Sequence, residues 1–125
     1  MKKIISSSKA PAPIGPYSQA VMVGDTLYTS GQIAINPTTN ELEMADIKSE
    51  TKLVMENLKA LINEAGMDFS NVIKCSIFIS DMNNFSEINE VYGSYFTANF
   101  PARETVEVAC LPKNVNVEIS AIAVK

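Results

Sequence analysis

Two stretches of this chain carry apolar residues at helical spacing, and the β-forming runs around them are short. Two amphipathic helices can cover one face of a sheet, which leaves the second face without a partner inside the chain. Over residues 46–65, Ile47, Thr51, Val54, Leu58, Leu61 and Ala65 recur at steps of three and four, with Asp46 as N-cap and Gly66 as the stop. Residues 84–98 repeat the pattern with Phe85, Ile88, Val91, Tyr92, Tyr95 and Phe96, opened by an Asn84 cap with Glu87 three positions on.

The remaining runs read as strands. Residues 3–6 form a short one, and residues 20–23 and 26–32 flank Gly24-Asp25 as the arms of a hairpin. Between them, residues 10–15 run into Pro16, and three prolines keep this loop extended and stiff, so that Tyr17 is held in place. Residues 72–80 alternate, with Ile73, Cys75, Ile77 and Ile79 on one face. Residues 104–111 and 115–124 are β-branched runs on either side of Pro112-Lys113-Asn114 and read as a closing hairpin. The order β, β-β, α, β, α, β-β without repeats or linkers predicts one α+β domain over residues 1–125, a single mixed sheet with both helices on one face.

Folding that last hairpin about Lys113 sets Glu107 opposite Glu118 and Thr105 opposite Ser120. Arg103, Thr105, Glu107, Asn116, Glu118 and Ser120 then share one polar face, with Val106, Val108, Val115, Val117, Ile119 and Ala121 on the core side. A polar face on a strongly β-forming hairpin is expected to be solvated or buried against another subunit, and the second reading is favoured.

Arg103 is the single arginine among ten basic residues, and it follows Pro101-Ala102 at the start of a strand. A guanidinium matches a carboxylate with two parallel hydrogen bonds and stays charged when desolvated, so the functional reading is a site for a small anion. Taken alone, a surface ion pair with Glu87, Glu90 or Glu104 is the plainer account of Arg103, and a solvated strand carboxylate is the plainer account of Glu118. Tyr17 alone reads as a packing ring, and Ser30-Gly31 as a strand end.

The chemistry is narrowed by what is missing. There is no histidine, which removes serine and cysteine hydrolase triads, histidine-rich zinc sites and the commonest general base near neutral pH. Cys75 and Cys110 are not at ligand spacing, so no metal is expected. A net charge of -4 argues against non-specific nucleic-acid binding. No apolar run reaches the roughly 20 residues that span a bilayer, and the N-terminal residues lack a signal-peptide core, so a cytoplasmic protein without a membrane partner is expected.

The ordered segments from Ala12-Pro13-Ile14-Gly15-Pro16-Tyr17-Ser18-Gln19 and Tyr28-Thr29-Ser30-Gly31-Gln32 to Pro101-Ala102-Arg103, Val106-Glu107-Val108-Ala109, Leu111-Pro112 and Val117-Glu118-Ile119 resemble the Rid (YjgF-like) family over essentially the whole chain. Asp81-Met82, Phe85 and Ile88-Asn89 fit it as well. The resemblance implies a fold like that of trimeric chorismate mutase, in which three sheets close a barrel, here expected to be mainly polar, with active sites in clefts between subunits. It implies hydrolysis of 2-iminobutanoate and 2-iminopropanoate to 2-keto acids and ammonia without a cofactor. In that picture Arg103 holds the substrate carboxylate, Glu118 holds a water, and Tyr17, the backbone at Ser30, Gly31 and Thr105, and Asn89 complete the cleft. The chain departs from many members at Thr105, where cysteine is common, and at Glu104, where a small residue is usual. A non-catalytic trimer that senses a keto acid and an RNA-cleaving translation inhibitor are the rival functions.

Overall fold

The computed structural model describes residues 1–125. Its strands are β1 (Lys2–Ile5), β2 (Ala20–Val23), β3 (Thr26–Thr29), β4 (Val72–Ile79), β5 (Ala102–Glu107) and β6 (Val117–Val124), with helices α1 (Ile47–Glu64) and α2 (Phe85–Gly93). They form one six-stranded mixed sheet in the order β1-β2-β3-β6-β4-β5. Gly24 takes the left-handed conformation, φ 56°, that a tight β2–β3 turn requires. Asp46 caps α1 by accepting the Ser49 N–H at 2.8 Å, and Gly66, φ 78°, lets the chain turn away at its end.

Both helices lie on one side of the sheet. Val54, Met55, Leu58 and Ile62 of α1, with Ile88 and Tyr92 of α2, bury against Leu27, Cys75, Ile77, Ile79, Val117, Ile119 and Ala121. No helix is long and apolar enough to cross a membrane.

The closing hairpin is not formed. β5 runs parallel to β4, with Cys75 beside Arg103, Ile77 beside Thr105 and Ile79 beside Glu107, while β6 runs antiparallel on the other edge of β4. The strand pair β4 and β5 is instead closed through α2, the usual way to join parallel neighbours. Two β-branched runs around a proline look like a hairpin in sequence, but β5 stops at Glu107. Residues 108–116 then cross β4, with Lys113 and Asn114 both at φ 56° in the turn. Glu107 accordingly does not face Glu118; its carboxylate accepts the Met82 N–H at 2.7 Å.

This changes which side chains share a face. Residues directly opposite each other in a sheet point the same way, so Arg103, Thr105 and Glu107 lie with Cys75, Ile77 and Ile79 on the helix side. Glu118, beside Phe78, and Ser120, beside Ser76, lie on the open side. The assignment of Val117, Ile119 and Ala121 to the core holds, but Val106 faces the open side and is exposed. That open side is mixed rather than mainly polar: Ile4, Val21, Tyr28 and Ile122 are aligned across it, next to Ser76, Glu104, Glu118 and Ser120.

Smaller differences have local causes. Ile73 is exposed, not core, because a bulge inserts one residue between the Val72–Ala123 and Lys74–Ile122 pairs. Asn84 makes no capping bond; Asp81 accepts the Asn83 N–H at 2.9 Å and opens a short 3-10 turn that continues into α2. α2 ends at Gly93, after which Tyr95 and Phe96 turn to pack on Phe69 at ring distances of 5.3 and 5.4 Å. β3 leaves the ladder at Thr29, and the chain rejoins β6 only through Gln32, which exchanges two main-chain bonds with Ile119.

Candidate active site

The departure of β3 from the ladder makes room for a carboxylate. Glu118, the second residue of β6, projects across Gly31, and a Cβ built on Gly31 would lie 2.5 Å from Glu118 Oε2. Only glycine permits this approach. Facing them is the stiff loop that follows β1, and together they enclose a cleft of about 340 Å³ whose polar groups come from Tyr17, Ser30 and Glu118. Pro11, Ile14, Ile33, Ile35 and Pro112 provide apolar walls.

Each element of this cleft is fastened. The Tyr17 hydroxyl accepts the Ile14 N–H at 3.4 Å. Ser30 donates its hydroxyl to Ser18 O at 2.6 Å and its N–H to Gln19 O at 2.9 Å, so those two donors are engaged within the chain. Partial burial pushes the Glu118 carboxyl above its ordinary range. A carboxylate raised in this way is a better base toward water near neutral pH.

Arg103 lies elsewhere. At the start of β5 it reaches under α2, donates to Asn89 Oδ1 at 2.7 Å, and has its guanidinium carbon 5.6 Å from the Phe85 ring centre and 5.2 Å from that of Tyr92. A planar cation held by two ring faces and one amide has few orientations left. The surface pair with Glu87, Glu90 or Glu104 is absent: Glu90 binds Lys48 and Glu104 binds Lys74. Phe100, Pro101, Gly93 and Tyr92 line a second cleft beside Arg103 and Asn89.

Thr105 stands two residues along the same face. Its hydroxyl is buried without a hydrogen-bond partner. Val108 donates its N–H to Ile79 O, and alternation along the strand therefore turns the peptide groups of Arg103, Thr105 and Glu107 toward the free edge of β5. The main chain at Thr105 is open to a ligand beside the Arg103 fork.

One chain thus builds two half-sites on opposite faces of its sheet. Tyr17, Ser30, Gly31 and Glu118 are brought together; Arg103, Asn89 and Thr105 are brought together; the two groups do not meet. No cluster of three or more His, Cys, Asp or Glu side chains could share a metal ion.

Three buried polar residues that shape the first cleft lie outside the site residues the sequence reading named. Asn57 donates to Ile33 O and Ile35 O at 3.2 and 3.0 Å, holding the segment after Gly31. Glu50, fully buried, accepts from the main chain and side chain of Asn116 at 2.8 and 2.7 Å and anchors the chain two residues before Glu118. Their signal was available, since both fall on the apolar stripe of α1, where an uncompensated polar group is costly. Gln19, next to β2, carried no such signal.

A mixed sheet covered by two helices on one side, with an acid-over-glycine cleft on the other, defines the class. The description Endoribonuclease L-PSP fits residues 7–125, and the chain belongs to that family, the Rid or YjgF proteins. Among its relatives, the 2-iminobutanoate/2-iminopropanoate deaminase of Bos taurus is 47% identical over 125 residues, covering 100% of this chain and 91% of its own length. The crystal structure of the E. coli YjgF gene product superposes with a TM-score of 0.94 at 44% identity, covering 98% of each chain. E. coli TdcF with bound serine superposes at 0.95 and 46% identity, again over 98% of each.

Proposed function

We infer that this protein hydrolyses 2-imino acids such as 2-iminobutanoate and 2-iminopropanoate to 2-keto acids and ammonia, in the cytoplasm, as a homotrimer. Its active sites would lie between subunits. The observation that carries this reading is the separation of Arg103 from Glu118 by the thickness of one sheet. An anion fork and a water-activating carboxylate on opposite faces can serve one substrate only if a second copy presents its complementary half. The exposed apolar row on the open sheet face supports such an assembly.

The chemistry asked of the site is modest. Arg103 and the outward peptide group of Thr105 hold the substrate carboxylate, which fixes the C=N plane. Glu118 orients a water and accepts one of its protons as the oxygen attacks C2 of the protonated imine, giving a neutral carbinolamine. Glu118 returns that proton to the nitrogen, and as the C–N bond breaks the carbinolamine hydroxyl gives its own proton to the departing ammonia, so that a 2-keto acid and ammonium leave. Tyr17, across the cleft, is placed to hydrogen-bond the reacting nitrogen or oxygen. No step requires a metal or organic cofactor. RNA cleavage, named in the family's description, finds less support in a chain with one arginine, no histidine and a net charge of -4.

The test is the release of semicarbazide-trappable imine by a threonine dehydratase, followed with and without this protein, together with its sedimentation mass. Faster loss of imine by a trimer is expected. Binding of 2-ketobutyrate without acceleration would make it a metabolite sensor, and a mass near 13.6 kDa at micromolar concentration would remove the shared site.

A further inference from the structure

Residues 6–19 leave the sheet between β1 and β2, contain no helix or strand, and supply one wall of the Glu118 cleft. Prolines restrict this excursion locally, but they do not fix where it sits relative to the opposite wall. That is decided by one buried side chain. Gln19, 3% exposed, accepts the Ser7 N–H at 2.7 Å through Oε1. Its Nε2 faces Ser7 O at 3.0 Å, Ala10 O at 3.1 Å and Pro11 O at 2.8 Å, so the amide ties both ends of the loop's first half to the base of β2.

The same residue holds the other wall. Gln19 O accepts the Ser30 N–H, and Ser30 Oγ returns to Ser18 O, which binds the segment carrying Gly31 to the segment carrying Tyr17. Side chain and main chain of Gln19 therefore set the separation between Tyr17 on one wall and Glu118, lying over Gly31, on the other. A carboxamide suits this place because it offers one acceptor and two donors without charge. Glutamate would present a carboxylate to three carbonyl oxygens, and a methionine of similar length would leave Ser7 N–H, Ala10 O and Pro11 O without the bonds Gln19 gives them, with Ser7 O keeping only the Ala10 N–H at 3.4 Å.

We propose that Gln19 is a positioning residue of the imine-hydrolysing site, acting by holding Tyr17 at the correct distance from Glu118. The proposal rests on the deaminase reading above. Because Gln19 touches no substrate, its contribution passes through Tyr17, and the two residues are coupled while the Arg103 half-site is not involved.

A double-mutant cycle tests this. Gln19→Ala, Tyr17→Phe and the double variant are measured for kcat and KM in imine hydrolysis and for 2-ketobutyrate affinity, each with the assembly checked. Gln19→Ala is expected to lower kcat about tenfold or more, consistent with ångström-scale misplacement of a catalytic group. Affinity for 2-ketobutyrate, held by Arg103, should change less than about twofold. In the Tyr17→Phe background the same substitution should cost less than about twofold, because the group it positions is already gone. Gln19→Met, which preserves volume, should behave like Gln19→Ala, and Gln19→Glu, which keeps the bond to Ser7 N–H but turns a carboxylate oxygen on three carbonyls, should lose at least as much activity.

Additive losses in the cycle, or equal losses in kcat and ligand affinity, would overturn the role of Gln19 while leaving the deaminase reading intact. Wild-type trimer without imine hydrolysis would remove both. If none of the three Gln19 variants folds, Gln19 is a folding residue and the proposal is wrong.

Discussion

Glu118 lies directly over Gly31, so close that a Cβ at position 31 would stand 2.5 Å from the Glu118 carboxylate oxygen and 2.7 Å from its carbon. The glycine is what allows an acid at the start of β6 to lie along the chain that has left the ladder. Several expectations depend on this contact and on the position of Arg103.

Gly31→Ala should displace the Glu118 carboxylate, since the side chain is the neighbour free to move. Imine hydrolysis is expected to fall about 100-fold, while stability changes by less than about 1 kcal/mol, because Gly31 is exposed and the displaced atoms are the end of a flexible side chain. Steady-state kinetics and thermal melts of the purified variant check both.

Glu118→Gln should keep 2-ketobutyrate binding and lose most turnover, because an amide fills the space but cannot take the proton from water. The pH dependence has a defined sign. A folded carboxyl raised above its unfolded value binds protons more tightly in the native state, so its contribution to stability falls as pH rises from the ordinary carboxylate range through the folded value. Glu118→Gln removes this penalty, and its melting temperature at pH 7 should equal or exceed that of the wild type. In the wild type, kcat/KM should rise with pH across the same window as the base ionises. A pH–rate profile and paired melts at pH 5 and 7 decide it.

Arg103→Lys should be nearly as damaging as Arg103→Ala. An ammonium keeps the charge but cannot lie between the rings of Phe85 and Tyr92, hold Asn89 and still offer two parallel bonds to a carboxylate. A loss of about 100-fold in kcat/KM is expected for both, with little change in melting temperature. Wild-type kcat/KM in the lysine variant would show that charge alone suffices.

Mixing offers a test of the shared site. Arg103→Ala and Glu118→Gln are each expected to be inactive, but trimers assembled from equal amounts of both should recover about a quarter of wild-type activity. At random, one interface in about four pairs an intact Arg103 with an intact Glu118 from different subunits. Refolding the two variants together and assaying the mixture measures this. No recovery would place both residues' work within a single chain.

Much of this molecule was legible without coordinates. Apolar spacing located α1 and its Asp46 cap, alternation located β4 and β6, and Gly24 marked the first turn, because each depends on residues close in sequence. Arg103 stands out locally as the single arginine, whereas the segments carrying Tyr17, Ser30-Gly31 and Glu118, each of which has a plainer local reading, could be singled out by resemblance. Strand partners could not. The β5 and β6 runs follow one another around a proline, and nothing local tells whether they pair or whether β4 lies between them; that choice is made by α2 closing a parallel pair and by the burial of β4 on both edges. A change of neighbour reverses which face a strand presents, so Arg103 moved from the side of Glu118 to the side of α2. The buried amides and carboxylate of Gln19, Asn57 and Glu50 were decided in the same way, since their partners are main-chain groups that only the folded chain brings within hydrogen-bonding distance.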